Sequence, residues 1–307
     1  MAPVTILVVE DHEPFRRLIC SSLQRAPEFR VVGETPDGLD AVTKAKELQP
    51  GVVLLDLGLP KLHGLEAARR MRAVAPDSRI LVVSQESSVD VLREALDVGA
   101  SGYLLKTRAN ADLLVGVNSV AAGALFVGRG LDFVEIVEPH SRYRHELLLC
   151  ANEEAHAENL TRSISAAFEA GNAVLLWITE SHRNEAFERL AQRGIDVDAA
   201  IQRGTCITWD ADQPPQGLGF PQAVAQLLNA ASRAGKGDPR VVIWAERAGR
   251  LWAGGKTNEA IGLEQLGNTL IAGHAVDILC PYPAQDGRVA HPALGHLCAE
   301  HVAVYSR

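Results

Sequence analysis

Short apolar segments alternate with amphipathic segments along the first 122 residues of the chain. The apolar segments are rich in β-branched residues, as strands that are buried on both faces of a sheet require. They predict strands at Thr5–Val9, Arg30–Val32, Val52–Leu55, Ile80–Val83 and Gly102–Leu105. The amphipathic segments predict helices at Pro14–Gln24, Leu39–Leu48, Leu65–Val74, Val89–Val98 and Asp112–Ala121. This alternation predicts a doubly wound parallel α/β sheet, which binds its ligands at the carboxyl ends of the strands.

A second α/β pattern follows a join that is rich in glycine and acidic residues. Its predicted strands are Glu146–Cys150, Ala173–Thr179, Thr205–Trp209, Arg240–Ala245 and Ala275–Cys280. Its predicted helices are Glu153–Glu169, Arg183–Arg193, Pro221–Ala234, Asn258–Ala272 and Pro292–His301. Two domains also suit a length of 307 residues. We therefore predict a first domain at 1–125, a linker at 126–139 and a second domain at 140–307.

Polar residues follow four of the predicted strands in the first domain. Glu10 and Asp11 follow the first strand, Asp56 follows the third, Ser84 ends the fourth and Lys106 follows the fifth. A single carboxylate at a strand end is most often a solvated cap. Because the carboxyl ends of parallel strands meet at one edge, five such residues in this order favour a common site.

The residue types at this edge suit the transfer of a phosphoryl group to a carboxylate. Hard oxygen ligands from the three acidic side chains, and the backbone carbonyl of Gly58, predict a bound Mg²⁺. Asp56 is the predicted nucleophile, and the cation would reduce its repulsion from an anionic phosphodonor. Lys106 and the Ser84 hydroxyl would pair with the phosphoryl oxygens.

Two segments of the first domain carry a family resemblance. Residues 53–66 (VLLDLGLPKLHGLE) resemble the phosphoacceptor region of bacterial response-regulator receiver domains. Residues 95–106 (ALDVGASGYLLK) resemble their closing strand, in the form common to the NarL/FixJ subfamily. The resemblance implies a flavodoxin-like (βα)5 fold, a histidine kinase partner and Tyr103 as the switch aromatic residue. It also implies a homodimer or output interface on the last helix and strand. Gln85 and Glu86 depart from the usual family pattern near the predicted phosphosite.

The second domain resembles the MEDS family of sensory domains. The segments that carry the resemblance are 145–154 (HELLLCANEE), 173–179 (AVLLWIT) and 242–246 (VIWAE). The resemblance implies a RecA/KaiC-like core without a proper phosphate-binding loop, a small-molecule ligand and a downstream protein partner. It argues against a helix-turn-helix reader of DNA.

A glycine-rich segment keeps a nucleotide-binding alternative open. Gly254-Gly255-Lys256-Thr257 is predicted to follow a strand and to open a helix, as in a P-loop. The full motif needs glycine at position 250, where this chain has Arg250. A plain turn is therefore the favoured interpretation, and a phosphorylation-gated nucleotidase is the alternative.

The four tryptophans of the chain all lie in the second domain. They suit either a core or the lining of a ligand pocket. Trp209 and Trp244 lie near predicted strand ends, where α/β ligand clefts open, and Glu246 is the polar candidate beside them.

The composition of the chain argues against some classes of function. A net charge of −8 argues against a broad DNA-binding surface, although a transcription regulator stays an alternative. Five scattered cysteines without a C-x-x-C pair are typical of reduced thiols, and no apolar run is long enough to span a membrane. We expect a cytoplasmic response regulator without enzymatic activity beyond its own phosphorylation and dephosphorylation. A phosphate sink with a scaffold domain is a further alternative.

Overall fold

The computed structural model forms two compact units. It describes residues 2–131, 144–214, 219–235, 237–284 and 293–306. The first unit contains 2–131 together with 293–306, and the second contains the described residues between 144 and 284. The sequence analysis assigned 293–306 to the second domain, whereas the division into compact units places these residues with the first. Most of the predicted linker, 132–139, lies outside the described residues.

The helices and strands follow the predicted alternation closely. The first unit begins with β1 (Val4–Val9), α1 (Glu13–Gln24), β2 (Phe29–Thr35), α2 (Gly38–Leu48), β3 (Val52–Leu55), α3 (Gly64–Val74), β4 (Arg79–Ser84), α4 (Val89–Asp97), β5 (Gly102–Leu105), α5 (Ala109–Ala122) and β6 (Leu125–Val127). The second unit contains β7 (His145–Cys150), α6 (Glu153–Glu169), β8 (Ala173–Ile178), α7 (Glu180–Gln192), α8 (Val197–Gln202), β9 (Cys206–Asp210), α9 (Phe220–Arg233), β10 (Val241–Ala245), α10 (Arg247–Ala253), α11 (Thr257–Gly273) and β11 (Val276–Pro283). The chain ends in the first unit with α12 (Leu294–Ala299) and β12 (Ala303–Ser306).

A parallel sheet with the order β2-β1-β3-β4-β5-β6-β12 forms the core of the first unit. All residues of β3 and β5 are buried, because helices cover both faces of the sheet. The order of β1 to β5 is that of flavodoxin-like proteins, which confirms the predicted fold class. The strand order reverses between β1 and β3, and this switch point is where such sheets bind ligands.

The C-terminal segment extends the first unit beyond the predicted five strands. β6 pairs with β5, and β12 pairs with β6. Helix α12 packs against α5, where Ser119 Oγ lies 3.5 Å from Cys298 Sγ. The predicted output and dimer surface on α5 and β5 is therefore covered in part by the chain itself.

The second unit is built on a parallel sheet with the order β9-β8-β10-β11-β7. From β8 the chain moves outward to β9, and from β10 it moves in the opposite direction to β11. The switch point of this sheet therefore lies between β8 and β10. This α/β architecture confirms the predicted class of the second domain.

The segment that suggested a P-loop lies between two helices. Gly254 and Gly255 join α10 to α11, and α10 was not predicted from the sequence. A P-loop joins a strand to a helix, so the expectation of a preceding strand was wrong. The Lys256 side chain is 59% exposed and lies 3.5 Å from Glu259. This segment is a turn that starts a helix.

The described part of the chain contains no helix that is both long enough and apolar enough to cross a membrane. All five cysteines are buried, and none of them forms a disulfide in the described part of the chain.

Candidate functional site

The switch point of the first sheet brings together the acidic residues that follow β1 and β3. Glu10 and Asp56 are buried, whereas Asp11 is exposed to solvent. One carboxylate oxygen from each of the three lies within 4.8 Å of those from the other two. Oxygen ligands at this spacing fit a hard divalent cation such as Mg²⁺. The Gly58 amide donates to Asp56 Oδ1 at 3.3 Å, and the role of the Gly58 carbonyl as a ligand stays a prediction.

Lys106 pairs with two of these carboxylates. Its Nζ lies 2.8 Å from Asp56 Oδ2 and 2.8 Å from the Glu10 carboxylate. Burial raises the pKa of Glu10. Burial opposes the charge on Lys106, but hydrogen bonds with Asp56 and Glu10 outweigh it and raise the pKa of the lysine. The charged ammonium of Lys106 is thus held beside Asp56, the predicted phosphoacceptor.

The close approach of α3 fixes the backbone of the predicted nucleophile. The Gly64 amide donates to the Leu57 carbonyl at 2.9 Å. A Cβ at position 64 would lie 2.3 Å from the carbonyl oxygen of Asp56. Only glycine fits there without moving the backbone of Asp56, so Gly64 is a positioning residue for the predicted nucleophile.

The predicted switch residues are joined through the loop after β4. The Ser84 hydroxyl accepts a hydrogen bond from the Glu86 amide at 3.2 Å. The Tyr103 hydroxyl donates to the Glu86 carbonyl at 2.8 Å, and the Tyr103 ring is fully buried. Glu86 thus links Ser84, at the edge of the sheet that carries the acidic residues, to the aromatic residue on β5. Its side chain, by contrast, is exposed.

A second cluster lies at the switch point of the sheet in the second unit. Glu246 follows β10, and its buried carboxylate is 2.9 Å from His182 Nδ1 and 3.1 Å from His156 Nε2. The same carboxylate accepts from the Thr179 amide at 3.0 Å and from Trp244 Nε1 at 3.3 Å. Each oxygen of Glu246 therefore has two donors.

The N-terminus of α6 contributes the outer part of this cluster. The Asn152 side chain caps the helix by accepting from the Ala155 amide at 2.8 Å. Glu153 and His156 lie in the first turn, and Glu153 Oε2 is 3.0 Å from His182 Nε2. The rings of His156 and His182 are in contact, with centroids 4.3 Å apart and planes tilted by 35° to each other.

Contacts within the cluster shift the pKa values of Glu246 and His182 strongly and in opposite directions. Burial alone would raise the pKa of Glu246, but hydrogen bonds from His156 and His182 outweigh it and lower that pKa to about 2. The hydrogen bond to Glu246 raises the pKa of His182 to about 9. An ionised carboxylate is therefore held under both imidazole rings.

The proposed pocket of Trp209, Trp244 and Glu246 is not formed as one site. Trp209 is in register with Trp177, and Trp177 is in register with Ala245, the residue after Trp244. Because side chains alternate between the faces of a strand, Trp209 and Trp244 point to opposite faces of the sheet. Only Trp244 meets Glu246, and Trp244 is fully buried.

On the face that carries Trp177, a polar network is buried among core residues. Glu264 accepts from Tyr282 Oη at 2.6 Å and lies 3.0 Å from His145 Nε2. Cys280 Sγ is 3.1 Å from the same carboxylate. An adjoining cavity of about 30 Å³ is close to the volume of one water molecule, so in this conformation it is not a pocket for a larger ligand.

Sequence reasoning missed His156 and His182. Glu153 and His156 have the Glu-x-x-His spacing that carries metal ligands on helices, so this pair was detectable. His182 follows a different strand, and only the strand order shows that it reaches the same place.

Family comparisons assign the two parts of the chain to two families, although the second match extends through α12, which packs in the first unit. The model of the response regulator receiver domain matches residues 6–118. The model of MEDS, the methanogen/methylotroph, DcmR sensory domain, matches residues 144–299.

Similar proteins match in the first part of the chain. The nitrate/nitrite response regulator protein NarL of Escherichia coli K12 is 36% identical over 129 residues, which are 42% of this chain and 60% of that protein. The transcriptional regulatory protein DegU of Brevibacillus brevis is 36% identical over 124 residues, or 40% of this chain and 52% of that protein. A solved two-component response regulator of the LuxR family from Aurantimonas sp. SI85-9A1 is 31% identical, with a TM-score of 0.39, over 40% of this chain and 87% of that one. The chain thus spans between half and two thirds of the length of these curated relatives.

Proposed function

We propose that this chain, which belongs to the MEDS family and matches the response regulator receiver domain over residues 6–118, is a phosphoacceptor of a two-component system. A histidine kinase would supply the phosphoryl group, and Asp56 would accept it. The MEDS unit would carry the output through a small ligand or a protein partner rather than through DNA. The only reactions in this proposal are phosphorylation and dephosphorylation at Asp56.

One observation is the main support for Asp56 as the phosphoacceptor. Its Oδ2 lies 2.8 Å from the ammonium of Lys106, in a buried site that also holds Glu10. When Oδ2 becomes part of an acyl phosphate, the same ammonium can pair with the new phosphoryl charge. Bound Mg²⁺ would add charge neutralisation between the carboxylate and the incoming phosphoryl group.

The loop after β4 offers a route from the site to the rest of the first unit. If the Ser84 hydroxyl turns to donate to a phosphoryl oxygen, its hydrogen bond from the Glu86 amide is lost. The Glu86 carbonyl holds the Tyr103 hydroxyl, so movement of this loop reaches β5. β5 pairs with β6, and β6 pairs with β12. This continuity supports a signal that ends at the C-terminal segment.

The contacts of α5 support an intramolecular output. Arg129 Nε lies 3.3 Å from Asp112 Oδ1 and 3.0 Å from Ser306 Oγ. The receiver surface that we expected to form a homodimer is thus engaged by the end of the same chain. A homodimer would need this segment to leave or would use another surface.

Labelling by acetyl phosphate tests the acceptor. We expect the full chain to gain one phosphoryl group in the presence of Mg²⁺, measured by intact mass. Asp56→Asn should abolish the gain, whereas Asp77→Asn, at an exposed residue, should not. Unchanged labelling of the Asp56→Asn protein would contradict the proposal.

The proposed output is tested separately. Gel-shift experiments with genomic fragments at physiological salt, before and after labelling, should show no binding. Binding that appears on phosphorylation would favour a transcription regulator instead.

A further inference from the structure

We propose that the second unit contains a binding site for a divalent transition metal, with Glu153, His156 and His182 as ligands. One ligand atom from each of these side chains lies within 4.8 Å of those from the other two. Two imidazoles and one carboxylate form a donor set that suits Zn²⁺ and related ions. The proposal does not depend on the phosphoacceptor function of the first unit.

Glu246 prepares both imidazoles for a metal. A carboxylate only accepts hydrogen bonds, so the nitrogens that face Glu246 carry protons: Nε2 of His156 and Nδ1 of His182. The remaining nitrogens, Nδ1 of His156 and Nε2 of His182, are then the ones that can bind a metal. Nε2 of His182 faces the Glu153 carboxylate at 3.0 Å, so a metal would take the place of a proton on that nitrogen. Carboxylates hold metal-binding histidines in this way in many metal sites, where they fix the tautomer and orient the ring.

The second ring nitrogen of His156 is otherwise unexplained. His156 is only 9% exposed, and its Nδ1 has no hydrogen-bond partner in the described part of the chain. Leaving a buried polar nitrogen unpaired costs free energy unless a ligand satisfies it. A bound cation would satisfy it without changing the hydrogen bond to Glu246.

The third ligand lies at the solvent side of the cluster. The Glu153 side chain is 86% exposed, and its Oε2 already lies 3.0 Å from His182 Nε2. Three protein ligands leave a coordination position open, as in zinc sites that bind water or a small ligand. The cluster lies at the switch point of the sheet, where α/β proteins bind their ligands. A metal there could present its open position to a small oxygen-containing molecule.

Titration of the full chain with Zn²⁺ tests the site directly. The protein is stripped with a chelator and kept in excess Mg²⁺, which occupies the carboxylates of the first unit. We expect one Zn²⁺ per chain by calorimetry, and Co²⁺ should give a visible absorption band with the same stoichiometry.

Matched variants locate the bound ion. Glu153→Gln should weaken Zn²⁺ binding about tenfold or more, and His182→Gln should abolish it. Glu246→Gln, which removes the acceptor of one imidazole, should weaken binding by about 10- to 100-fold. Glu154→Gln is the control, because Glu154 is the next residue on α6 and pairs with Arg189 instead.

Two outcomes would overturn the proposal. One is the absence of stoichiometric Zn²⁺ binding to the wild-type chain. The other is equal binding by the wild type, Glu153→Gln and His182→Gln, which would place the ion elsewhere. If a histidine variant fails to fold by circular dichroism, the comparison of Glu153→Gln with Glu154→Gln decides, since both replace exposed side chains.

Discussion

Ser306 donates a hydrogen bond from its Oγ to Asp112 Oδ1 at 2.9 Å, although 194 residues separate them in sequence. Asp112 lies on α5 and is fully buried, and Ser306 ends β12. Asp112 also accepts from the Arg129 amide at 2.9 Å. A buried carboxylate on the receiver helix is thus satisfied in part by the last strand of the chain.

Replacement of Ser306 by alanine should loosen this strand. A hydrogen bond to a charged group contributes about 1.5–3 kcal/mol, and the loss leaves one oxygen of Asp112 with the Arg129 side chain alone. We expect faster amide exchange at Val304 and Tyr305 in Ser306→Ala, measured by hydrogen–deuterium exchange. Ser87→Ala, at an exposed serine, is the control. Identical exchange in the two variants would mean that the contact does not hold β12.

Removal of the Tyr103 hydroxyl should release the loop after β4. Tyr103→Phe keeps the buried ring but loses the hydrogen bond to the Glu86 carbonyl. We expect a loss of about 0.5–1.5 kcal/mol in unfolding free energy and faster amide exchange at residues 85–88. Tyr282→Phe also removes a buried hydroxyl, but in the second unit, and should leave that loop unchanged. Equal exchange at 85–88 in Tyr103→Phe and the wild type is the contrary result.

A methyl group at position 64 should disable the proposed phosphoacceptor site. The new Cβ of Gly64→Ala would lie 2.3 Å from the Asp56 carbonyl oxygen and 2.6 Å from Leu57 Cα. Overpacking of this kind typically costs about 1–3 kcal/mol, and relief requires movement of the Asp56 backbone. We expect slower labelling by acetyl phosphate together with a lower unfolding temperature. Gly51→Ala, where the nearest atom is 3.4 Å away, should retain both properties.

Asp37 predicts a pH-dependent contribution to stability. The Asp40 amide, which Asp37 caps at 2.8 Å, and the Lys61 ammonium hold the pKa of Asp37 below its ordinary value of 3.8. Because the folded-state pKa is lowered, the stabilisation is present above that value and is lost as the pH falls through the folded pKa. Urea unfolding at decreasing pH should therefore show a shrinking difference between the wild type and Asp37→Asn.

Two variants at position 37 separate the cap from the charge. Asparagine keeps an oxygen that caps α2, whereas Asp37→Ala also loses the cap, which costs about 1 kcal/mol. Lys61 is 64% exposed, so solvent screens the ion pair and its contribution to stability should be small. A wild-type advantage over Asp37→Asn that grows towards acid pH would contradict the assignment.

The receiver half could be predicted from the sequence because its strands are continuous apolar runs. The end of each apolar run marks the end of a strand. These strand ends place Glu10, Asp56 and Lys106 at one edge of the predicted sheet. The three residues of β6 and the four of β12 are too short to give a period, and their pairing joins distant parts of the chain. The sequence analysis therefore predicted five strands in the first sheet and missed β6 and β12.

The second half of the chain shows which structural features the hydrophobic pattern does not predict. The bounds of α6 were predicted as observed, since its cap and its apolar face are local signals. The strand order depends on contacts between distant parts of the chain. The sequence pattern therefore could not predict that His156 and His182 lie side by side. The pairing of Trp209 with Trp244 failed for a related reason: a position near a strand end does not say which face a side chain takes.

The return of the chain to β12 makes the second unit an insertion. It is tethered at both of its ends, since the first unit supplies residues before it and after it. A change in the distance between those two attachment points would pull on β6 and β12 together, without any dissociation of domains. A single cut in the backbone between the units would likewise leave them covalently joined through the other connection.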